Sequence, residues 1–332
     1  MNLPLFMQRL FRSAIGGRHA EAQSPSAEGL EKASAVWGQK AEETQMQLKP
    51  SSWAECPVVL AEYINPQVSN HANRGWLEAV AEDYFPRPVE RALSLGCGSG
   101  GLERHGLQLG IAHFFDAFDV AEGAIKVARE EAEASGQNQS ISYQTADLNR
   151  IQLEADSYAA VFASQSVHHI ENLEHYMAQV HKALTSDGLF IVNEFVGPNQ
   201  FQWTDAQLHH AQKFLDSIPE HLKSCIREEG VKQTVDKPTI EAMNAYDPTE
   251  AIRSEDIIPQ IEARFDIIDR REFGGTLLHL VLDNIAGNLS ESEEGKAILR
   301  RFFAEEKRLI ESGEIQSDFV VLVARKRQGS SE

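Results

Sequence analysis

Two groups of residues in this sequence have the types and spacing for chemistry. The first is the run Leu93-Ser94-Leu95-Gly96-Cys97-Gly98-Ser99-Gly100-Gly101-Leu102-Glu103. It follows a short apolar run and opens a helical one, the context that gives a glycine loop meaning. Glycine lets backbone approach a ligand closely and take positive φ. Free N–H groups at a helix start favour polar or anionic ligand groups. Asp119, with Val120 beside it, ends the next apolar run, where a carboxylate can accept two ribose hydroxyls. Loop and acid together point to a nucleoside-containing cofactor. Gly96, Gly98 and Gly101 also satisfy the dinucleotide spacing GxGxxG, so a nicotinamide cofactor competes. Three features weigh against it. Asp147, in Thr145-Ala146-Asp147-Leu148-Asn149, is placed to meet an adenine amino group. Ser164–Ile170 (SQSVHHI) follows the fourth apolar run. The last strand comes after a C-terminal helical hairpin, with no second mononucleotide-binding half.

The second group is His168, His169 and Glu194. They fall where the fourth and fifth runs end, at the carboxyl edge of a sheet, which is where open α/β sheets bind ligands. His169 is the first candidate for a base or an acceptor-orienting residue, because imidazole suits proton transfer near neutral pH. Its alternative is a packing or capping histidine. Glu194 is a second polar anchor, or else a surface or salt-bridged carboxylate. No metal site is read. His168-His169 and His209-His210 are adjacent pairs, which do not point at one site as HExxH does, and Cys56, Cys97 and Cys225 form no CxxC.

The first group resembles the class I S-adenosylmethionine-dependent methyltransferases over about residues 88–197, plus the final strands. LSLGCGSG is similar to that family's first motif, FDVAEGAI to its second-strand acid motif, TADLN to its adenine-contact motif and SQSVHHI to its post-strand-4 motif. The resemblance implies S-adenosyl-L-methionine as cofactor. Gly96, Gly98 and Gly100 would line its methionine end, Asp119 would hold its ribose, Asp147 and Leu148 would contact its adenine, Gln165 would approach the methionine portion, and Cys97 and Val120 would join the cofactor-binding residues. Two positions depart from the pattern: Ser94 stands where the family often has Asp, and Ala159 replaces the usual acid at the head of strand 4. The implied reaction is an in-line methyl transfer, for which the protein mainly supplies alignment and a shaped pocket.

These residues need a frame, and the hydrophobic pattern supplies one. Runs at 91–95, 114–120, 140–146, 158–164 and 188–195 alternate with helical stretches at 122–134 and 171–184. Such alternation predicts a parallel sheet with helices on both faces. Strands resume at 264–271 and 318–325, with helices near 276–288 and 293–312. The expected fold is Rossmann-like α/β, a seven-stranded mostly parallel sheet with a helical lid after strand 5. Its parts are an amphipathic segment and linker (1–30), a helical extension (31–87), the cofactor core (88–197), a lid or acceptor insert (198–255) and the end of the sheet (256–327). In the insert, Phe201 and Trp203 flank Gln202, a mixture that suits sugars or ring-bearing acceptors unless the rings seat the lid on the core. Tyr246–Ser254 (YDPTEAIRS) is a second conspicuous stretch, with Asp247-Pro248 a turn opener.

The chain has 332 residues and a net charge of −19, which disfavours a nucleic-acid partner because phosphates need a cationic footprint. Three scattered cysteines suit a reduced, cytoplasmic protein. Residues 3–15 carry one apolar stripe with Arg9 and Arg12 opposite, a helix for a membrane surface or a protein groove if it does not pack on its own domain. The expected activity is methyl transfer to a small-molecule or glycan-type acceptor through oxygen, with a homo-oligomer allowed. Protein or tRNA methylation, a non-catalytic S-adenosylmethionine-binding protein and an NAD-dependent oxidoreductase are the competing readings.

Overall fold

A computed structural model describes residues 29, 31–37 and 49–327 of the chain. The stripe at residues 3–15 lies outside the described residues. Seven strands form one sheet: β1 (Val89–Leu95), β2 (Ala112–Asp119), β3 (Ile141–Thr145), β4 (Tyr158–Ser164), β5 (Leu184–Phe195), β6 (Phe265–Gly274) and β7 (Phe319–Lys326). Their order is β3-β2-β1-β4-β5-β7-β6. The first five run parallel, and β7 lies antiparallel to both β5 and β6. The chain winds outward from β1 through β2 to β3, then returns to place β4 on the other side of β1. The crevice at that reversal, at the carboxyl ends of β1 and β4, is where such sheets hold ligands.

Alternation along the central strands explains why both faces are covered. Ala92, Ala160, Phe162 and Ile191 join one apolar cluster, and Leu93, Leu95, Val161, Phe190 and Val192 join the other. A strand buried on both sides reads as a continuous apolar run, as β4 does. The main helices are α1 (Trp76–Tyr84), α2 (Gly101–Gln108), α3 (Glu122–Ala134), α4 (Leu173–Ala183), α5 (Asp205–Asp216), α6 (Ile240–Tyr246), α7 (Ile257–Glu262) and α8 (Glu293–Glu311).

Three expectations change in detail. Among the described residues of the extension before β1, 31–37 are helical, short helical pieces follow between Trp53 and Ser69, and then comes α1. The insert after β5 is helical at α5 and α6, but residues 223–239 between them form no helix. The helix expected over 276–288 is two short ones, Leu278–Leu282 and Ala286–Ser290, broken at Asn284 with φ 68°. Leu277, Leu278, Val281, Leu282 and Leu289 there are fully buried, so this apolar stretch is core of the chain itself. Among the described residues no helix is long and apolar enough to cross a membrane.

Candidate cofactor and acceptor site

The glycine loop leaves β1 at Leu95 and enters α2 at Gly101. Gly96, Gly98 and Gly100 have φ of 77°, 50° and 78°, a region L side chains rarely adopt. At Gly96 and Gly100 space also forbids a side chain. A Cβ on Gly96 would lie 2.2 Å from Ser166 Cβ, and one on Gly100 would lie 2.3 Å from the Tyr143 hydroxyl. At Gly98 and Gly101 a Cβ would meet nothing within 4 Å. Those two positions border open space, a cradle that backbone forms and a ligand can enter, so the loop fits the methionine end of S-adenosylmethionine.

Asp119 sits at the end of β2 and fastens this loop. Its Oδ2 accepts the Gly98 N–H at 2.8 Å and its Oδ1 the Ala121 N–H at 2.8 Å. Each oxygen keeps a lone pair for a hydroxyl donor. Asp147 caps its own turn, accepting the Asn149 N–H at 2.9 Å, and Leu148 beside it is buried. The Val120 carbonyl accepts from Ser34 Oγ at 3.3 Å. Gln165 has φ 51°, and its side-chain amide donates to the Asn193 carbonyl at 3.2 Å. Burial pushes the Cys97 thiol up, which makes it a packing residue and a poor nucleophile.

At position 94 the family's acid is missing, and the structure supplies a carboxylate from another element. Glu103 on α2 is fully buried, and its two oxygens meet no hydrogen-bond partner. Burial raises it to about 7, with the neighbouring Ser94 hydroxyl pulling the other way.

The acceptor side is built by the turn after β4. Ser166 donates its hydroxyl to the Leu95 carbonyl at 2.8 Å, tying the end of β4 to the end of β1. Glu194, the second-last residue of β5, is fully buried. Its Oε1 accepts the Ser166 and Val167 N–H groups, both at 2.6 Å. Its Oε2 accepts the Phe195 N–H at 2.7 Å and faces His168 Nδ1 at 2.5 Å. With four donors converging, Glu194 is a positioning residue. The expectation that it anchors the acceptor is corrected, because every direction of the carboxylate is used internally.

His168 and His169 do converge, against the expectation for chain neighbours. Their ring centroids lie 4.3 Å apart. A short helical turn, Val167–His169, folds both side chains toward the stretch Asp247–Glu250. His168 Nε2 is 3.4 Å from Glu250 Oε1. His169 Nδ1 is 3.0 Å from Thr249 Oγ1, and that hydroxyl is 2.6 Å from Asp247 Oδ1. A hydroxyl has one proton. The carboxylate can only accept, so Thr249 donates to Asp247 and His169 Nδ1–H donates to Thr249. This tautomer follows from the network. It leaves the lone pair of His169 on Nε2. Burial alone would push His168 down, but the Glu194 and Glu250 carboxylates outweigh it and raise the imidazole to about 10. Burial and the adjacent His168 charge lower His169, which therefore stays neutral. The His169 side chain keeps 17% exposure, enough for contact with a ligand.

Residues 31–37 form a helical segment over this crevice. Trp37 donates its indole N–H to Asp247 Oδ2 at 3.1 Å and lies edge-on to His169 at 5.2 Å. The same segment reaches the cofactor side through Ser34 and Val120. Sequence reading missed Trp37, Ser166, Asp247, Thr249 and Glu250 as site residues. The YDPTE stretch was conspicuous, but nothing in it announced a partner 80 residues upstream. Phe201 and Trp203, expected as faces for an acceptor, are buried and stacked parallel at 5.1 Å, with His279 against both. Arg253, near the end of the YDPTEAIRS stretch, is held by Glu174 and Asp256.

Residues 93–192 match the family model described as "Methyltransferase domain". The human protein named Arginine-hydroxylase NDUFAF5, mitochondrial, is 31% identical over 118 residues, which are 36% of this chain and 32% of that protein. Malonyl-acyl-carrier-protein O-methyltransferase of Bacillus cereus is 25% identical over 137 residues, 41% of this chain and 49% of that protein. The chain thus spans about a third to a half of the length of these curated relatives. Geranyl diphosphate C-methyltransferase of Streptomyces coelicolor A3(2) shares the fold, with a TM-score of 0.51 at 9% identity, over 92% of this chain and 100% of that one. Glycine cradle, strand-end acid, strand order and family match agree: residues 93–192 are a methyltransferase domain of the S-adenosylmethionine-dependent, Rossmann-like class.

Proposed function

We propose that this chain transfers a methyl group from S-adenosylmethionine to an oxygen of a small-molecule acceptor. The observation that carries the reading is one crevice with two different walls. One wall is the backbone cradle of Gly96, Gly98 and Gly100 with Asp119 behind it. The other is the neutral His169, its Nε2 lone pair set by the Thr249–Asp247 relay.

The cofactor supplies an activated methyl on a sulfonium sulfur. The chain's own residues do the rest. Gly98 and Gly101 leave room for close backbone approach, and Asp119 fixes the loop. His169 serves the acceptor, as the base that takes its hydroxyl proton or as the group that orients its oxygen. Trp37 and Ser34 hold the helical segment 31–37 across both walls, which favours an enclosed small acceptor over a polymer and helps exclude water. The relatives' names cover a malonyl carrier protein, sterols and geranyl diphosphate, so what favours one acceptor class for this chain is its own crevice. A glycan is the weaker choice, since the aromatic pair at Phe201 and Trp203 is turned into the core.

Calorimetric titration with S-adenosylhomocysteine and with NADH tests the cofactor half. Binding of the first alone is expected, and binding of NADH alone would overturn it. Labelled methyl transfer into a hydroxylated small-molecule panel, run beside tRNA and protein substrates, tests the acceptor half. Label appearing only in the polymers would overturn it.

A further inference from the structure

We propose that His168, His169 and Glu250 form a binding site for one divalent transition-metal ion of the zinc or iron(II) type, beside the glycine loop. One ligand atom from each of the three lies within 4.8 Å of the other two. The 3.4 Å between His168 Nε2 and Glu250 Oε1 matches two ligands of one tetrahedral ion, which at bond lengths of roughly 2.1 Å stand about 3.4 Å apart.

The surroundings have the form that metal sites take. A ligating histidine as a rule gives its other ring N–H to a carboxylate or other acceptor, which fixes its tautomer and orientation. Both histidines do so here. His168 Nδ1 faces Glu194 at 2.5 Å, and His169 Nδ1 faces Thr249, itself bonded to Asp247. Each ring therefore has Nε2 for the ion: at His169 it carries the lone pair, and at His168 it faces Glu250 and would release its proton as the ion binds. The backing groups are rigid: Glu194, Asp247 and Thr249 are all buried. The two halves of the site are also tied by backbone, the Ile252 N–H donating to the His168 carbonyl at 3.1 Å.

The donor set selects the ion. Two imidazoles and one carboxylate suit zinc, iron or nickel, and two histidines with one carboxylate are the pattern of open non-haem iron sites. Magnesium prefers an all-oxygen shell and is disfavoured. Three protein ligands leave a position for a further oxygen. The task of the ion rests on the methyl-transfer reading: it would hold the acceptor oxygen in front of the cofactor, and His169 would then act as the orienting residue. Binding itself does not depend on that reading.

The test uses the untagged full chain after chelation, titrated with Co2+, Zn2+ and Mg2+ alone. One equivalent of Co2+ and of Zn2+ is expected, with visible cobalt absorption bands and no comparable Mg2+ uptake. Glu250→Gln and His169→Asn should each weaken Co2+ by at least about tenfold, while S-adenosylhomocysteine affinity persists and reports that the fold is intact. If the parent chain takes up Co2+ and Zn2+ no better than Mg2+, or if both variants bind Co2+ as the parent does, the site is refuted. Loss of S-adenosylhomocysteine binding by the parent would instead refute the methyl-transfer reading, and the metal titrations would still decide the site.

Discussion

His168 Nδ1 lies 2.5 Å from Glu194 Oε2, joining the turn after β4 to the end of β5. The same carboxylate holds three backbone N–H groups from both segments. It is the knot that fixes where the turn presents its histidines. Glu194→Gln replaces two acceptor lone pairs with an amide that donates into the Phe195 N–H or into His168. Breaking one partner of a buried charged pair costs about 3 kcal/mol or more. Urea unfolding should show a loss of that size, together with lower turnover. A loss under about 1 kcal/mol, the range of a surface pair, would show that the knot is not structural.

His169 tests the acceptor wall separately. Its Nε2 is the one ring position that the Thr249–Asp247 relay leaves over, and the glycine loop is held by other residues. His169→Ala should cut single-turnover methyl transfer by about 10²–10⁴-fold, the usual worth of a positioned proton-transfer group, without a change in S-adenosylhomocysteine affinity. Intact turnover would remove His169 from the mechanism.

Gly96 and Gly98 share a positive φ but differ in what surrounds them. A methyl at Gly96 strikes Ser166, so Gly96→Ala combines overpacking with a left-handed backbone and should cost about 3 kcal/mol in stability. A methyl at Gly98 enters open space, so Gly98→Ala should cost only about 1 kcal/mol. That methyl stands where the cofactor must approach. S-adenosylhomocysteine affinity should fall by about tenfold or more in Gly98→Ala, equivalent to about 1.4 kcal/mol. Thermal melting and calorimetry separate the two, and equal effects of both variants on both readouts would contradict the cradle.

The cofactor half was legible because its signal is local. A glycine loop after an apolar run, and an acid at the end of the next, are read within 30 residues, and Asp119 does fasten Gly98. The strand pattern was equally plain, since β4 is buried on both faces and reads as one apolar run. The acceptor half was not legible, because its partners are far apart in the chain. Trp37 meets Asp247 across 210 residues, and His169 meets Thr249 across 80. Only the folded sheet, with its insert laid back over β4, makes those groups neighbours. Glu194 shows the limit most clearly. Its place at the end of β5 was read correctly, but four donors, three of them backbone N–H groups, consume it, and backbone direction is not written in side-chain types.

Glu103 gives a pH prediction of definite sign. Burial raises its carboxyl from 4.5 to about 7 in the folded chain. Between those values the folded state holds a proton that the unfolded state has lost. Stability therefore falls as pH rises through this window and levels off, for this group, above about 7. The full effect is roughly 3 kcal/mol. Glu103→Gln cannot titrate, so its unfolding free energy should lose this slope between about pH 4.5 and 7 and exceed the parent's most at pH 8. Asp318, raised to about 8 by burial, adds a slope of the same sign in both proteins and cancels in the comparison. Parallel curves for parent and Glu103→Gln, measured by urea unfolding across this range, would mean that Glu103 is ionised at its ordinary value. The α2 carboxylate would then have a cationic or hydrogen-bonded partner, and could not be the neutral acid standing in for the family's strand-1 aspartate.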